Sequence, residues 1–201
     1  RYEWRAFAMD FGIVEQRLRS RGQLLKIRRS RELYLLPPVP STLSIKLSDH
    51  RLSIKKQLRC RAPLQRWSPS ETQPLPLTTQ QIRRLILRPF DLPDSLNDGS
   101  LADTDSVTQA LLQHTDLLLV PVTKRRWVLS LRHCDCDVAE LTINNTQLLS
   151  IGLSAESPEP VLALAERLGL NRWHNRDYTR FLRQVTGLDP VPVEEEWCWE
   201  P

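Results

Sequence analysis

Thr42-Leu43-Ser44-Ile45-Lys46-Leu47-Ser48, followed two residues later by Arg51-Leu52-Ser53-Ile54-Lys55, decides how this chain is read. In an extended strand successive side chains point to opposite faces, so residues 42, 44, 46 and 48 share a polar face and 43, 45 and 47 an apolar one. The second run splits the same way, and Asp49-His50 between them suits a tight hairpin. Working outward, charged residues alternate with apolar ones in the other extended stretches: Glu3 and Arg5 near the start, Lys124, Arg126 and Arg132 on a later strand, and Glu140 on the next. A sheet with one apolar face and one face carrying mostly cations needs an anion opposite it, and polyphosphate is the leading candidate.

The 201 residues, 40% of them hydrophobic, are enough for one sizeable domain with a tail. The net charge of +4 hides an asymmetry: residues 1–61 hold 15 Lys/Arg against 5 Asp/Glu, and residues 62–201 hold 13 against 19. The basic part invites an anionic partner. No run of 18 apolar residues is present, so no membrane-spanning helix is expected, and no signal-peptide core is visible. Four cysteines do not make a disulfide scaffold at this size, which favours a reducing, cytoplasmic location.

Residues 2–8 alternate as a strand, and Asp10 offers an N-cap to a helix with Ile13, Val14 and Leu18 on its apolar stripe, ending near Gly22. Residues 33–36 form a short strand stopped by Pro37-Pro38-Val39-Pro40. Arg17, Arg19 and Arg21, with Lys26, Arg28, Arg29 and Arg31, read as a solvated helix face and loop. Recognised RNA modules add stacking aromatics in a fixed motif, and none is visible here, so nucleic acid is disfavoured and an acidic protein partner stays open.

Residues 63–76 are proline-rich and read as connective. Thr78 or Thr79 caps a helix through Ile82, Leu85 and Ile86, and a second helix runs from about 105 to 113, giving a helical insertion at about 78–114. Strands return over 116–156, with breaks near Lys124, His133 and Asn144-Asn145. Ser157 and Pro158 start a helix with Val161, Leu162, Ala165 and Leu168 inward, and a last helix begins at Asn175 and buries Tyr178, Phe181, Leu182 and Val185. His133-Cys134-Asp135-Cys136-Asp137 lacks the paired four-ligand spacing of a structural zinc site.

These elements predict one α+β domain over 1–187, with about eight strands and five helices. Closure, or near closure, of the strands into an antiparallel eight-stranded β-tunnel flanked by helices lets a charged face be interior. Residues 188–201 form a tail with Glu194-Glu195-Glu196, Trp197 and Trp199, which either packs back or docks on another chain.

Several of these stretches together resemble the CYTH domain: Ala139-Glu140-Leu141, then Ser150-Ile151-Gly152-Leu153-Ser154-Ala155-Glu156, the Pro-started helix, Leu168-Gly169-Leu170, and Arg176-Asp177-Tyr178. That superfamily, also called triphosphate tunnel metalloenzymes, includes class IV adenylate cyclases, thiamine triphosphatases and inorganic triphosphatases. Tyr2-Glu3-Trp4-Arg5-Ala6-Phe7 looks like a variant of its Glu-x-Glu-x-Lys signature, and the resemblance spans roughly residues 2–186.

The resemblance implies a basic tunnel for a triphosphate, a polyphosphate or a nucleotide phosphate, with Arg5, Lys46, Lys55, Lys124, Arg126 and Arg132 as phosphate-binding cations. It further implies Mg²⁺ or Mn²⁺ held by Glu3 and Glu140, and metal-assisted phosphoanhydride hydrolysis as the active version. The chain departs from the family pattern at Arg1, Thr142, Ser154, Ser48 and Ser53, where charged and mostly acidic residues are usual, although Glu156 stands near one gap. The cationic half of the chemistry is therefore better kept than the metal half, and no catalytic group is singled out. The alternative is an inactive structural or interaction subunit that docks through its basic N-terminal region or its Trp-containing tail.

Overall fold

The computed structural model describes residues 1–48, 50–61, 63–101 and 103–190. Most of the expected tail lies outside the described residues, as does Asp49 of the expected hairpin turn. The elements in chain order are β1 (Tyr2–Ala8), α1 (Ile13–Arg21), β2 (Gln23–Leu36), β3 (Leu43–Ser48), β4 (Arg51–Arg61), β5 (Leu64–Trp67), β6 (Glu71–Pro74), β7 (Leu77–Thr78), α2 (Thr79–Ile82), β8 (Ser100–Leu101), α3 (Thr104–His114), β9 (Leu118–Leu131), β10 (Cys134–Ile143), β11 (Thr146–Ala155), α4 (Pro158–Leu168) and α5 (Tyr178–Val185). No helix among the described residues is long and apolar enough to cross a membrane.

The strands pair in the order β3-β2-β9-β10-β11-β1-β5-β4, and β4 pairs back onto β3, so the sheet closes. All these pairs are antiparallel, and β6 extends β5 along the same edge of β4. The result is the eight-stranded α+β tunnel expected from alternation. Closure removes the exposed sheet edges and allows a polar interior.

Three expectations change. The basic stretch after Gly22 is not a helix face and loop: β2 runs 14 residues, beside β9 for its whole length, with a register shift between Leu24 and Lys26. The stretch 63–76 is not simply connective, because β5 and β6 lie between its prolines, which fall at strand ends and breaks. The expected break near Lys124 is absent, and β9 is continuous from Leu118 to Leu131.

Register sets which residues face inward: odd positions on β1 and β10, even ones on β2, β3, β9 and β11. The outward apolar positions are covered by helices. α1 and α4 pack with Trp4, Leu129, Val138 and Leu153, while Ile82, Val107 and Leu111 of the inserted helices pack with Ile45, Leu47 and Leu52. α5 does something different. Its Tyr178, Phe181 and Leu182 join Phe7, Leu36, Val120, Val122, Leu141 and Ile143, which all come from inward strand positions, so α5 plugs one end of the barrel with an apolar stopper. Phe7 stacks on Phe181 with ring centroids 3.9 Å apart. Arg183 ties the plug to the end of β2 by donating to the carbonyls of Pro37 and Pro38, and it pairs with Asp189 at 2.8 Å. The charged part of the tunnel starts where this stopper ends.

Candidate functional site

Above the stopper lies a cavity of about 600 Å³. It is lined by seven inward-facing Lys/Arg side chains (Arg5, Arg28, Lys46, Arg51, Lys55, Lys124, Arg126) and three Asp/Glu (Glu3, Glu32, Asp177), with Tyr34, Trp67 and Tyr178 among the rest. A second chamber of about 280 Å³ adjoins it, sharing Glu3, Arg5, Arg28, Lys55 and Arg126 and adding Arg1, Lys26, Asp135 and Asp137.

Three ion-paired groups structure the interior among the described residues. The first is centred on Glu32, whose Oε1 lies 2.8 Å from Lys46 Nζ and whose Oε2 lies 2.6 Å from Lys124 Nζ. Tyr34 donates its hydroxyl to Glu32 Oε2 at 3.0 Å and accepts from Lys124 at 2.7 Å. The Lys124 ammonium also sits 3.4 Å from the centroid of the Tyr178 ring, a cation–π contact. Burial, which disfavours the charged form, together with repulsion between the two lysines, outweighs Glu32 and pulls Lys46 down to about 8. Burial also pulls Lys124 to about 8, helped by the nearby charges of Arg5 and Arg126 and opposed by Glu32. Burial alone would push Glu32 up, but the two ammonium groups hold it well below the usual carboxylate range.

The second pair joins Arg5 to Asp137 in a two-pronged fork, Nη1 to Oδ2 at 3.0 Å and Nη2 to Oδ1 at 2.7 Å, with Nη1 also donating to Ser150 Oγ at 2.9 Å. Burial raises the Asp137 carboxyl, yet the Arg5 charge and its hydrogen bonds outweigh this and leave it lowered. The third joins Lys55 to Glu3 Oε1 at 2.9 Å. Arg28, Arg51 and Arg126 form no ion pair among the described residues, and so carry the unneutralised charge of the cavity.

Of the residues expected from sequence, Glu3, Arg5, Lys46, Lys55, Lys124 and Arg126 come together on this wall. Arg132 does not: it sits exposed in the β9–β10 turn at φ 51°. Glu140 does not either. Its even position on β10 points outward, opposite Arg125 and Leu149, and its carboxylate is 3.8 Å from Arg125 on the outer surface. Glu3 and Glu140 therefore stand on opposite sides of the barrel wall and cannot share an ion. The inward acids of β10 are Asp135 and Asp137, within the stretch that the Cys-x-Cys spacing drew attention to. Cys134 and Cys136 themselves are buried outside the barrel, where burial pushes the Cys136 thiol up to about 12.

Sequence reading missed Glu32, Tyr34, Arg28, Asp137 and Tyr178. The first two were findable, because Glu32 and Tyr34 alternate with Leu33 and Leu35 at the end of β2; Arg28 was not, because Arg29 and Arg31 put cations on both faces there.

A divalent metal does not fit the carboxylates as they stand. Glu3, Glu32 and Asp137 are each engaged by an ammonium or guanidinium between 2.6 and 3.0 Å away, and Asp135 is 2.6 Å from Arg1. No group of three His, Cys, Asp or Glu side chains among the described residues could hold a metal. Hard cations need free oxygen ligands, which this arrangement withholds.

No protein-family model matches the sequence, and no curated protein sequence does. Solved structures do match in fold. A Hippeastrum protein proposed as an adenylyl cyclase, with a dominant triphosphatase activity, shares 12% identity at a TM-score of 0.55 over 92% of this chain and 95% of its own. A conserved hypothetical protein from Pyrococcus furiosus has the same identity and TM-score over 88% and 98%. A Bacillus halodurans protein proposed as an adenylate cyclase matches at 12% identity and a TM-score of 0.50 over 90% and 96%. At such identities the likeness is one of fold: this chain has a CYTH-like fold.

Proposed function

We propose that the tunnel binds a linear phosphate anion: a triphosphate, a polyphosphate or the phosphates of a nucleotide. The observation that carries this is the excess of four inward-facing cations over acids around one cavity, with Arg28, Arg51 and Arg126 in no ion pair among the described residues. Tripolyphosphate near neutral pH carries on the order of four to five negative charges, of the size needed to neutralise that wall. Lys46, Lys55 and Lys124 would add contacts deeper in, while Arg5, committed to Asp137, holds the wall in shape. The aromatic rings of Tyr34 and Tyr178 give the floor a dry, low-dielectric character that strengthens each charge contact. The fold shared with the Hippeastrum triphosphatase is in keeping with a phosphate ligand.

Titration calorimetry with tripolyphosphate tests the reading. Saturable binding is expected; no heat and no rise in melting temperature at millimolar ligand would sink it. Arg126→Ala should weaken binding by roughly ten- to a hundredfold, the loss of charge-assisted hydrogen bonds worth about 1.5–3 kcal/mol. Because Arg126 is in no ion pair, that variant should keep the wild-type melting temperature without ligand.

Since Glu3, Glu32 and Asp137 are engaged by lysines and arginines, and Asp177 by Gln65 and the N–H of Arg180, EDTA should leave tripolyphosphate affinity within about twofold. A tenfold loss would mean that a metal bridges protein and phosphate. A phosphate-release assay with added Mg²⁺ or Mn²⁺ then separates binding alone from turnover.

A further inference from the structure

Glu32 stands where a phosphate would. Its two oxygens accept from two ammonium groups, which would serve a phosphate oxygen pair equally well, and from the hydroxyl of Tyr34, with Ser30 Oγ 3.3 Å from Oε1. It projects inward from β2, four residues beyond Arg28 in the direction of Leu36, which packs on the apolar stopper. Resting on the phosphate-binding reading above, we propose that Glu32 is a built-in counter-anion, exchanged for the ligand's phosphate when the tunnel fills.

Two ammonium groups cannot lie in a partly buried site without an anion, because desolvation and their mutual repulsion both oppose it. With the tunnel empty, Glu32 supplies that anion. With a polyphosphate present, the chain first meets Arg28, Arg51 and Arg126, which are in no ion pair among the described residues. Its remaining phosphates are then held at high local concentration beside the lysines and can displace the carboxylate. Glu32 keeps hydrogen-bond donors in Ser30 and Tyr34 after losing the lysines, so the exchange does not strand it. The same residue thereby stabilises the empty protein and weakens the filled one, which makes binding reversible in a site that is otherwise strongly attractive.

A residue that only braced the fold would lower stability and affinity together. The exchange predicts opposite signs. Glu32→Gln, which keeps size and an acceptor oxygen but removes the charge, should lower the melting temperature of the empty protein and tighten tripolyphosphate binding by tenfold or more. Glu32→Asp keeps the charge but is too short to reach both lysines, so it should tighten binding several-fold, separating bridging from net charge. Glu140→Gln, on the outer surface, is the control and should change neither. Should Glu32→Gln fail to fold, Glu32→Asp with Tyr34→Phe, which removes a donor to the carboxylate, decides the question by the same titration. Unchanged or weaker binding in the folded Glu32 variants, with wild type still binding, overturns the exchange alone. Absence of binding in wild type and variants overturns the phosphate reading beneath it.

Discussion

Tripolyphosphate binding is expected to weaken at least tenfold per pH unit as pH rises above about 8, with ionic strength held fixed. Lys46 and Lys124 both lose their protons near pH 8 in the empty tunnel, because burial and the surrounding cations disfavour the ammonium form. A bound polyanion reverses that balance and raises both values, so binding takes up protons wherever the free lysines are neutral. The sign follows: affinity is complete below the free-state value and falls as pH climbs from it towards the bound-state value. One proton taken up per ligand gives a tenfold loss per unit and two give a hundredfold. The two lysines repel each other, so the first proton to leave raises the hold on the second, and the slope should lie nearer the lower figure just above pH 8. Glu32 stays ionised throughout and contributes no slope. Lys46→Met should flatten the profile, and a wild-type affinity independent of pH between 7 and 10 would show that neither lysine meets the ligand.

Why this pair was only half visible in the sequence has a physical answer. Lys46 lies in a stretch where polar and apolar residues alternate without exception, so period two alone places it, whereas Lys124 lies among Thr123, Arg125 and Arg126, and its face is fixed only by the register of β9 against its neighbours. Their partner Glu32 follows directly on a stretch where Arg29 and Arg31 put cations on both faces and the register shifts beside Leu25, so alternation fails as a guide over 23–31 although the strand exists. Closure of the barrel was legible from the need to enclose a charged face. The plug was not: the apolar stripe of α5 says that Tyr178 and Leu182 are buried, but only the three-dimensional arrangement says that they are buried inside the barrel mouth. The carboxylates were the least legible, since a shift of one position decides between tunnel and solvent. Asp137 and Glu140 are three residues apart on one strand and face opposite ways.

That inward position of Asp137 makes it the most consequential acid for stability. Asp137→Ala is expected to lower stability by about 3–5 kcal/mol, the usual cost of leaving one member of a buried pair alone. For a protein of this size that is a fall of about 6–20 °C in melting temperature. Both side chains are only 14–15% exposed, so solvent does little to screen the orphaned charge. The two single variants should differ. Arg5→Met leaves a carboxylate that can escape by taking a proton, whereas Asp137→Ala leaves a guanidinium that cannot lose one. At neutral pH the second should therefore be the worse, and lowering the pH should narrow the gap between Arg5→Met and wild type. The linkage has a definite sign, because Asp137 is held below its ordinary value in the folded protein. Its contribution is present above the unfolded-state value near 3.8 and is lost as pH falls through the folded-state value.

Gly152 supplies the internal check. It pairs with Arg5 and Asp137 on the neighbouring strands, and a Cβ there would lie 2.6 Å from Arg5 Cζ and 2.8 Å from Asp137 Oδ1. The guanidinium is pinned by its fork to Asp137 and cannot swing aside cheaply, so Gly152→Ala should destabilise wild type by forcing the pair apart. In an Arg5→Met, Asp137→Leu background there is no fork to break. The double variant should itself be less destabilised than Asp137→Ala, and adding Gly152→Ala to it should cost much less than in wild type. Equal costs in the two backgrounds, measured by denaturant unfolding, would show that Gly152 is needed for the strand itself and not for the ion pair that lies across it.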